Sequence, residues 1–490
     1  MHVPAEANIS PGEPVAIIGA ALRFPGASDP SSFHEITVAG RRMFRELPHR
    51  ADNGGPADHG KRRERRAGRP SRLAALLDEA APRVGRDDAL TGAITARHVL
   101  ATETAAAALA DIPPAGRAVA AERIGVFIAE IPEPGTADVR DWVHRHLGTL
   151  AADDTATPRI GGRDVQVSGT GGPRPAGAIL HDLLLGTIGA VRAGHGAAVP
   201  AGHGSAGGHG TAIVTGPLHC SLRAVAAACD ALNSGQFDLV LAGGVAKGVD
   251  SWLHGHATAG DHVRVYDVSP TGSLPGEGCG IVALTRAADA QVAGVPAYAE
   301  IAGWHYADPA TPQRAVLPAA YRRAGIDPAD IQFVEGHGAA TAADDLAELT
   351  ALLEVLGAHG DASRRCALGS VSAIFGDTRA AAGVAALLKA AFAMTADVIP
   401  PSTGCVRPNP LLRGAATPFR LPAAPEQWPQ TPVQLAAVNT LGTAAHPDEP
   451  RSGPVHVVLR RERDLTRRPG RRRKPCLLPT APVPLEVPSP

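Results

Sequence analysis

The most regular hydrophobic pattern in the chain lies between residues 212 and 245, and it predicts a strand, a tight turn, a helix and a second strand. The apolar run 212–214 suits a short buried strand, and Gly216-Pro217 marks a turn. Apolar residues then recur at helical spacing up to Asn233, and the run 239–242 predicts a second buried strand. The apolar helix positions are Leu222, Val225, Ala226, Cys229 and Leu232. A strand that turns sharply into a helix offers unpaired N–H groups that stabilise a thiolate or an oxyanion, so the turn is a candidate nucleophile site.

Further strands and helices alternate along the rest of the chain. Apolar runs predict buried strands at 15–18 and 123–129, and the final strand pair is predicted within 438–459. The Ala-rich segment 88–112 predicts a helix. A second helix, after Phe333-Val334, is predicted to be capped by Asp344 and Asp345 and to bury one stripe formed by Leu346, Leu349, Leu353 and Leu356. This alternation indicates an α/β protein.

Composition excludes several classes of function. The chain has 490 residues and a formal net charge of -1, so neither nucleic acid nor a membrane surface is an expected partner. The six Cys show no short paired spacing, so we predict neither a disulfide framework nor a zinc ribbon, and the expected location is the cytoplasm. No apolar stretch is long enough to cross a bilayer, and the first ten residues lack a signal-peptide core.

Three segments invite other interpretations. Three Gly-His-Gly units, at His195, His203 and His209, suggest a metal site, but spacings of eight and six place no two imidazoles on one helical face. A flexible glycine loop is favoured over a metal site, and no metal or cofactor is predicted. The basic segment 61–69 is interpreted as a solvated loop, with a docking patch as the weaker alternative. For the basic tail 460–474, a third hypothesis is binding to nucleic acid or to acidic protein surfaces.

Several motifs resemble those of the β-ketoacyl synthases, the ketosynthases of polyketide and fatty-acid assembly. The segments are PVAIIGAALRFPG from Pro14, RIGVFIA from Arg123, VEGHGAAT from Val334 and LGSVSAIFGDTRAAAGVAALLK from Leu368. The resemblance implies a thiolase-type, five-layer αβαβα fold built of two similar halves. It divides the chain into an N-terminal extension (1–11), an N-terminal half (12–260), a C-terminal half (261–460) and a tail resembling a post-ketosynthase linker (461–490).

The resemblance also implies which positions carry the chemistry. The family uses a Cys nucleophile, two His and a Lys; here those positions hold Leu218, His337, Asp377 and Ser372, so only His337 is retained. Moving Cys220 to the nucleophile position would delete two helical residues, turn the helix by roughly 200° and expose its apolar face. Asp377 has a structural interpretation as the N-cap of an Ala-rich helix. His337 is interpreted as a framework residue, with a working acid or base as the alternative.

Two hypotheses follow. The first is a degenerate ketosynthase-like protein, similar to the non-condensing chain-length factors, that lacks Claisen condensation and acts as a partner or scaffold. It would form a homodimer or a heterodimer with an active ketosynthase, and an acyl carrier protein is a further expected partner. The second is an acyltransferase with altered acyl-thioester chemistry that uses Cys220. The competing interpretation of Cys220 is a buried, inert thiol.

Overall fold

The computed structural model describes residues 12–46, 73–77, 96–120, 123–130, 159–160, 163–164, 220–247, 262–357, 365–414, 417–441 and 452–463. The helices are α1 Pro30–Val38, α2 Ala96–Asp111, α3 Ser221–Asn233, α4 Ala287–Val292, α5 Gln313–Ala324, α6 Ala342–Leu356, α7 Ser372–Phe375 and α8 Ala382–Ala396. Short 3₁₀ turns lie at Pro114–Arg117, Pro328–Asp330, Arg379–Ala381 and Pro410–Leu412.

The strands within the same residues form one large sheet and three two-stranded pieces. The large sheet contains β1 Val15–Arg23, β4 Ile124–Glu130, β7 Leu239–Ala246, β8 Gly278–Arg286, β9 Glu300–Tyr306, β10 Phe333–Glu335, β11 Cys366–Gly369, β13 Phe419–Arg420, β15 Val433–Thr440 and β16 Val455–Glu462. The short pairs are β2 Arg45–Glu46 with β3 Leu73–Ala74, β5 Arg159–Ile160 with β6 Arg163–Asp164, and β12 Val398–Ile399 with β14 Glu426–Gln427.

The large sheet repeats one strand order in the two halves of the chain. In the N-terminal half the order is β4-β7-β8-β1, and in the C-terminal half it is β10-β15-β16-β9. Both quartets have one parallel pair followed by two antiparallel pairs. The halves join where β1 runs antiparallel to β9, through the pairs Val15–Ile301 and Ala16–Glu300. The chain therefore consists of two similar halves, as predicted.

Alternate side chains of the strands face different cores, and this separates the molecule into layers. In β7, Leu239 and Leu241 pack on the outer helix α2, whereas Val240 and Ala242 join a core that contains α3 and α8. In β16, Val457 faces that same inner core, whereas Val458 packs in a third core with α5 and α6. The order is therefore helix, sheet, helices, sheet, helices, which is the predicted αβαβα arrangement.

The two inner helices touch at their N-terminal ends. A Cβ atom on Gly383 would lie 2.5 Å from the backbone nitrogen of Leu222, so only glycine permits this approach. The Ser221 hydroxyl accepts a hydrogen bond of 2.8 Å from the N–H of Val384. The start of α3, which follows the candidate nucleophile turn, is thereby fixed against the start of α8.

The predicted strands at 15–18, 123–129 and 239–242, the helix at 221–233 and the final strand pair are present within the described residues. The helix predicted at 88–112 is present over Ala96–Asp111, and residues 88–95 lie outside the described residues. The predicted strand 212–214, the Gly-His units, the basic segment 61–69 and most of the tail lie outside them. The boundary between the halves at 260 and 261 also falls in an undescribed stretch and stays a prediction.

The predicted apolar stripe of α6 is wrong at one of its four positions. Leu349 and Leu356 are buried and Leu353 packs against the same core, but Leu346 is 49% exposed. The buried face also carries Asp345 and Glu348. The capping prediction was wrong as well, because Thr341 is the N-cap and accepts the N–H of Asp344. Both errors have the same cause: the helix turns two carboxylates inward to hold a neighbouring loop.

By length and composition alone, the stretch Arg379–Ala396, which includes α8, could cross a membrane, so the prediction that no apolar stretch is long enough was wrong by this criterion. It lies between the two half-sheets with most of its residues buried, which is the environment of a core helix.

Candidate functional site

The carboxyl ends of β10 and β15 and the N-terminus of α3 meet at one end of the molecule. His337 lies two residues beyond β10, Thr440 ends β15 and Cys220 immediately precedes α3. The structure therefore brings Cys220 and the loop of His337 to the same region. Leu218, which is predicted to stand at the position of the family's nucleophile, lies outside the described residues.

Cys220 occupies the N-cap of α3 in an extended conformation, and its side chain is buried, with 6% of the residue exposed. Its thiol donates to the hydroxyl of Thr440, with Sγ and Oγ1 3.5 Å apart. Burial raises the pKa of the Cys220 thiol above its ordinary value, and the Thr440 hydroxyl, the N–H groups of the first turn and the Arg223 charge offset only part of that rise. The thiol is therefore held in its protonated, weakly nucleophilic form.

A buried carboxylate organises the loop of His337. Glu348 of α6 is fully buried, and its two oxygens accept the backbone N–H groups of His337 (2.7 Å) and Gly338 (3.0 Å). The same carboxylate accepts the Tyr266 hydroxyl at 2.9 Å and the Asn439 amide at 2.7 Å. Four donors thus satisfy one buried charge, and they tie β10, β15, α6 and the 266 segment together.

Asp345 performs a similar task one helical turn earlier. Its oxygens accept the N–H of Tyr266 at 2.7 Å and the N–H of Ala340 at 3.0 Å. Burial raises the pKa of Asp345 to about 7, despite the two N–H donors. A Cβ on Gly336 would lie 2.0 Å from the Tyr266 hydroxyl oxygen, so the loop approaches this tyrosine as closely as a backbone can.

An ion pair lies beneath the loop. Lys389 of α8 donates to Glu335 at the end of β10, with Nζ and Oε2 2.7 Å apart, and the two side chains are 1% and 0% exposed. Desolvation raises the pKa of Glu335, and the neighbouring Lys389 charge opposes that rise.

Ser372, which is predicted to stand at the position of the family's lysine, is a hydroxyl that bonds the same loop. Ser372 donates to the carbonyl of Gly338 at 2.6 Å and lies 3.2 Å from the carbonyl of His337. Ser370 donates to the His337 carbonyl at 2.9 Å, and the two hydroxyl oxygens are 2.7 Å apart. Ser372 therefore contacts the loop backbone and carries no charge that could orient an imidazole.

Asp377, which is predicted to stand at the position of the family's second histidine, also bonds the backbone. One carboxylate oxygen accepts the N–H of Arg379 at 2.8 Å, at the entrance to the 3₁₀ turn Arg379–Ala381. The predicted N-cap role was wrong, because the N-cap of this turn is Thr378 and the N-cap of α8 is Ala381. The Asp377 main chain pairs with Leu274 and Gly276.

The network extends into the core through β15 and β16. Asn439 Oδ1 lies 3.2 Å from Nδ1 of His456, which is fully buried and has its ring 5.0 Å from that of Tyr321. Because the Asn439 amide donates to Glu348, its oxygen is the acceptor, and Nδ1 of His456 carries the proton. Desolvation lowers the pKa of His456 to about 3, so this imidazole is neutral.

Sequence reasoning missed the residues that hold the site: Tyr266, Glu348, Asn439, Thr440 and His456. One signal could have identified a member of this set. Asp345 and Glu348 are three residues apart, and so they share a helical face with Leu349 and Leu352. Two acids on an apolar face predict buried carboxylates with donors nearby. In the described part of the chain, no cluster of three or more His, Cys, Asp or Glu could hold a metal ion.

Comparison with known families identifies the family to which this fold and site belong. The N-terminal domain of the β-ketoacyl synthases matches residues 12–146 and 219–290, and the C-terminal domain matches 297–405. The chain belongs to the β-ketoacyl synthase family. Its curated relatives include the mycocerosic acid synthase-like polyketide synthase of Mycolicibacterium smegmatis, 30% identical over 476 residues. The phthioceranic/hydroxyphthioceranic acid synthase of Mycobacterium tuberculosis is 35% identical over 255 residues.

These relatives are much longer than the region they share with this ketosynthase-like chain. The first match covers 91% of the chain and 20% of the relative, and the second covers 48% and 12%. Solved ketosynthase domains share the fold at low identity. An oxazolomycin ketosynthase domain from Streptomyces albus aligns with a TM-score of 0.67 and 23% identity, covering 94% of this chain and 76% of that domain. The module 6 ketosynthase of the Bacillus subtilis bacillaene synthase gives 0.66 and 20%, with coverage of 92% and 72%.

Proposed function

We propose that this chain is a ketosynthase-like protein of a polyketide-type pathway that lacks Claisen condensing activity. In this proposal it acts as a partner or scaffold of an active ketosynthase or of a carrier protein. The observation that carries the proposal is that the side chains at two of the substituted catalytic positions form hydrogen bonds with the backbone. Ser372 hydrogen-bonds the carbonyl of Gly338, and Asp377 accepts a backbone N–H, so both side chains serve the local fold.

The chemistry of condensation supports the same conclusion. Acyl transfer needs a nucleophile, and the leucine side chain at position 218 has no nucleophilic or hydrogen-bonding atom. Decarboxylation of a malonyl group develops negative charge, which hydrogen-bond donors stabilise. A carboxylate at position 377 supplies no donor and repels that charge.

The test compares the wild-type chain with a repaired variant that carries Leu218→Cys, Ser372→Lys and Asp377→His. Each protein is incubated with an acyl thioester and malonyl thioester, and the β-keto product is measured by mass spectrometry. We expect no product from the wild type and no acyl adduct at residue 218. Product formation by the wild type at a rate comparable with an active ketosynthase would overturn the proposal.

The scaffold role has its own test. A tagged copy is purified beside an active ketosynthase and a carrier protein of the same pathway, and complexes are measured by light scattering. A homodimer or a heterodimer is the expected state, and the cytoplasm is the expected location. A stable monomer that binds neither partner would contradict this part of the proposal.

A second candidate function is acyl transfer by Cys220, which is favoured by its place at the N-terminus of α3. Its burial and its raised pKa oppose this function. Intact-mass measurement after incubation with several acyl thioesters decides between the two: an adduct that disappears in Cys220→Ala establishes the transferase, and no adduct with any thioester eliminates it.

A further inference from the structure

Two residues beside the candidate site have a left-handed backbone although neither is a glycine. Ala340, in the turn that follows His337, has a φ angle of 58°, and Tyr266 has a φ angle of 54°. In this conformation the Cβ atom crowds the backbone, so the surrounding contacts have to hold it. Both residues donate their backbone N–H to one buried carboxylate, that of Asp345, at 2.7 Å for Tyr266 and 3.0 Å for Ala340. Asp345 therefore holds two strained positions at once.

The two strained residues differ in how many other contacts hold them. The ring of Tyr266 is buried, its hydroxyl bonds a second carboxylate of α6, and its carbonyl accepts the N–H of Asn409 at 2.8 Å. Ala340 buries only a methyl group, and its carbonyl accepts the N–H of Gly272 at 2.8 Å. The turn of Ala340 therefore depends on Asp345 more than the segment of Tyr266 does.

The residues on both sides of this turn have anchors of their own. Glu348 accepts the N–H groups of His337 and Gly338, and Thr341 is the N-cap of α6. The part of the loop that can open without breaking these anchors is residues 339–340. Opening of this short segment exposes the carboxylate to which it is bonded.

The electrostatic environment of Asp345 opposes its ionisation. Asp345 is 1% exposed, and Glu348, one helical turn later, is fully buried. Burial raises the pKa of Asp345 to about 7, and the neighbouring charges of Glu348 and Asp344 add to the rise, while the two N–H donors oppose it. At higher pH, α6 therefore carries two adjacent ionised carboxylates in the interior, and they repel each other.

The groups that face Asp345 from other elements do not compensate its charge. They are the Tyr266 hydroxyl and the Cys405 thiol, whose pKa values burial raises, so both are neutral at pH 7. Lys389, which lies beneath the loop, is paired with Glu335. Ionisation of Asp345 is therefore relieved by contact with water rather than by a partner charge.

We propose that Asp345 is a pH-controlled latch on the turn after His337, which stays closed while Asp345 is protonated and opens when the carboxylate is ionised. In the closed turn the pKa of Asp345 is about 7, and in an open, hydrated turn it returns towards the ordinary 3.8. The closed state thus binds the proton more tightly, and opening is favoured as the pH rises from about 4 to about 7. This inference goes beyond the proposed function, because it concerns the conformation of the loop and not a reaction.

The test is native-state hydrogen exchange of the full chain, with the backbone N–H of Ala340 resolved by mass spectrometry of fragmented peptides. Exchange rates are measured from about pH 5 to about pH 9 and divided by the intrinsic rate at each pH, which gives a protection factor. We expect the protection factor of Ala340 to fall about tenfold between pH 6 and pH 8 and to level off above pH 8. The N–H of Gly336, which donates to Gly369, reports on the rest of the loop and should keep its protection.

Two variants separate the latch from other titrations. Asp345→Asn cannot ionise, so the protection factor of Ala340 should be the same at about pH 6 and about pH 8. Asp344→Asn, the same change at the neighbouring residue, is the matched control and should keep most of the fall. A fall that persists in Asp345→Asn, that Gly336 shares, or that is lost in Asp344→Asn overturns the latch. The wild-type profile decides the question even when a variant fails to fold, because equal protection at about pH 6 and about pH 8, or a fall that continues above that range, also overturns it.

Discussion

The buried histidine of β16 makes the stability of the fold depend on pH in a predictable way. His456 donates from Nδ1 to Asn439, while among the described residues its Nε2 has no hydrogen-bond partner. A proton on Nε2 would place an unpaired charge in the core beside the ring of Tyr321. In the unfolded chain, the imidazole of His456 can be protonated without this cost.

The magnitude follows from the two pKa values. Folding lowers the pKa of His456 from an ordinary 6.5 to about 3, so below pH 6.5 the unfolded chain binds the proton more tightly. The stabilisation is complete above pH 6.5 and is lost as the pH falls towards 3. Linkage gives a loss of about 2 kcal/mol at pH 5 and about 4 kcal/mol at pH 3.

The assay is urea unfolding at pH 7.5 and pH 5, for the wild type and for His456→Gln, whose amide can still donate to Asn439. Carboxylates titrate in both proteins, so the difference between their pH dependences isolates this imidazole. We expect the wild type to lose about 2 kcal/mol more than the variant. The exposed His262→Gln serves as control and should follow the wild type. Equal losses in the wild type and His456→Gln would refute the reasoning.

Three further perturbations address the site. Lys389→Met leaves Glu335 as an unpaired buried charge and should lower the free energy of unfolding by about 3–5 kcal/mol. The double variant with Glu335→Leu should recover stability. A loss below about 1 kcal/mol in Lys389→Met would argue against the ion pair. Cys220 should react with iodoacetamide at neutral pH far more slowly in the native protein than in urea, and equal rates would show that the thiol is accessible. Ser372→Ala should cost about 1 kcal/mol in urea unfolding by removing the donor to Gly338, and a cost near zero would show that this hydrogen bond does not stabilise the loop.

The elements were predictable wherever periodicity alone decides the structure. The helix 221–233 and the strand that follows it are buried through repeated apolar positions, and the structure has both. The burial of Asp345 and Glu348 on α6 was not predictable in this way, because their donors at Tyr266 lie 79 and 82 residues away in the chain. When the hydrogen-bond donors to a buried carboxylate are distant in sequence, the local sequence gives little indication of them.

The same limit applied to the candidate site. Motif spacing located His337, Ser372 and Asp377, but it gave no partner for any of them. The structure gives Ser372 and Asp377 backbone partners, which explains how the fold tolerates an uncharged or acidic residue at each position. The roles of these residues in chemistry stay predictions.

The hydrogen bonds of the His337 loop are relevant to the interpretation of His337 as a framework residue. The bonds that hold the loop run through the backbone of residue 337: its N–H donates to Glu348, and its carbonyl accepts from Ser370. Any amino acid supplies these two groups, so these bonds do not require an imidazole at this position. A purely structural role for His337 therefore has to rest on its side chain, and His337→Ala separates the two cases. If stability is unchanged in that variant while carrier or thioester binding falls, the imidazole serves a ligand; if stability falls, the framework interpretation holds.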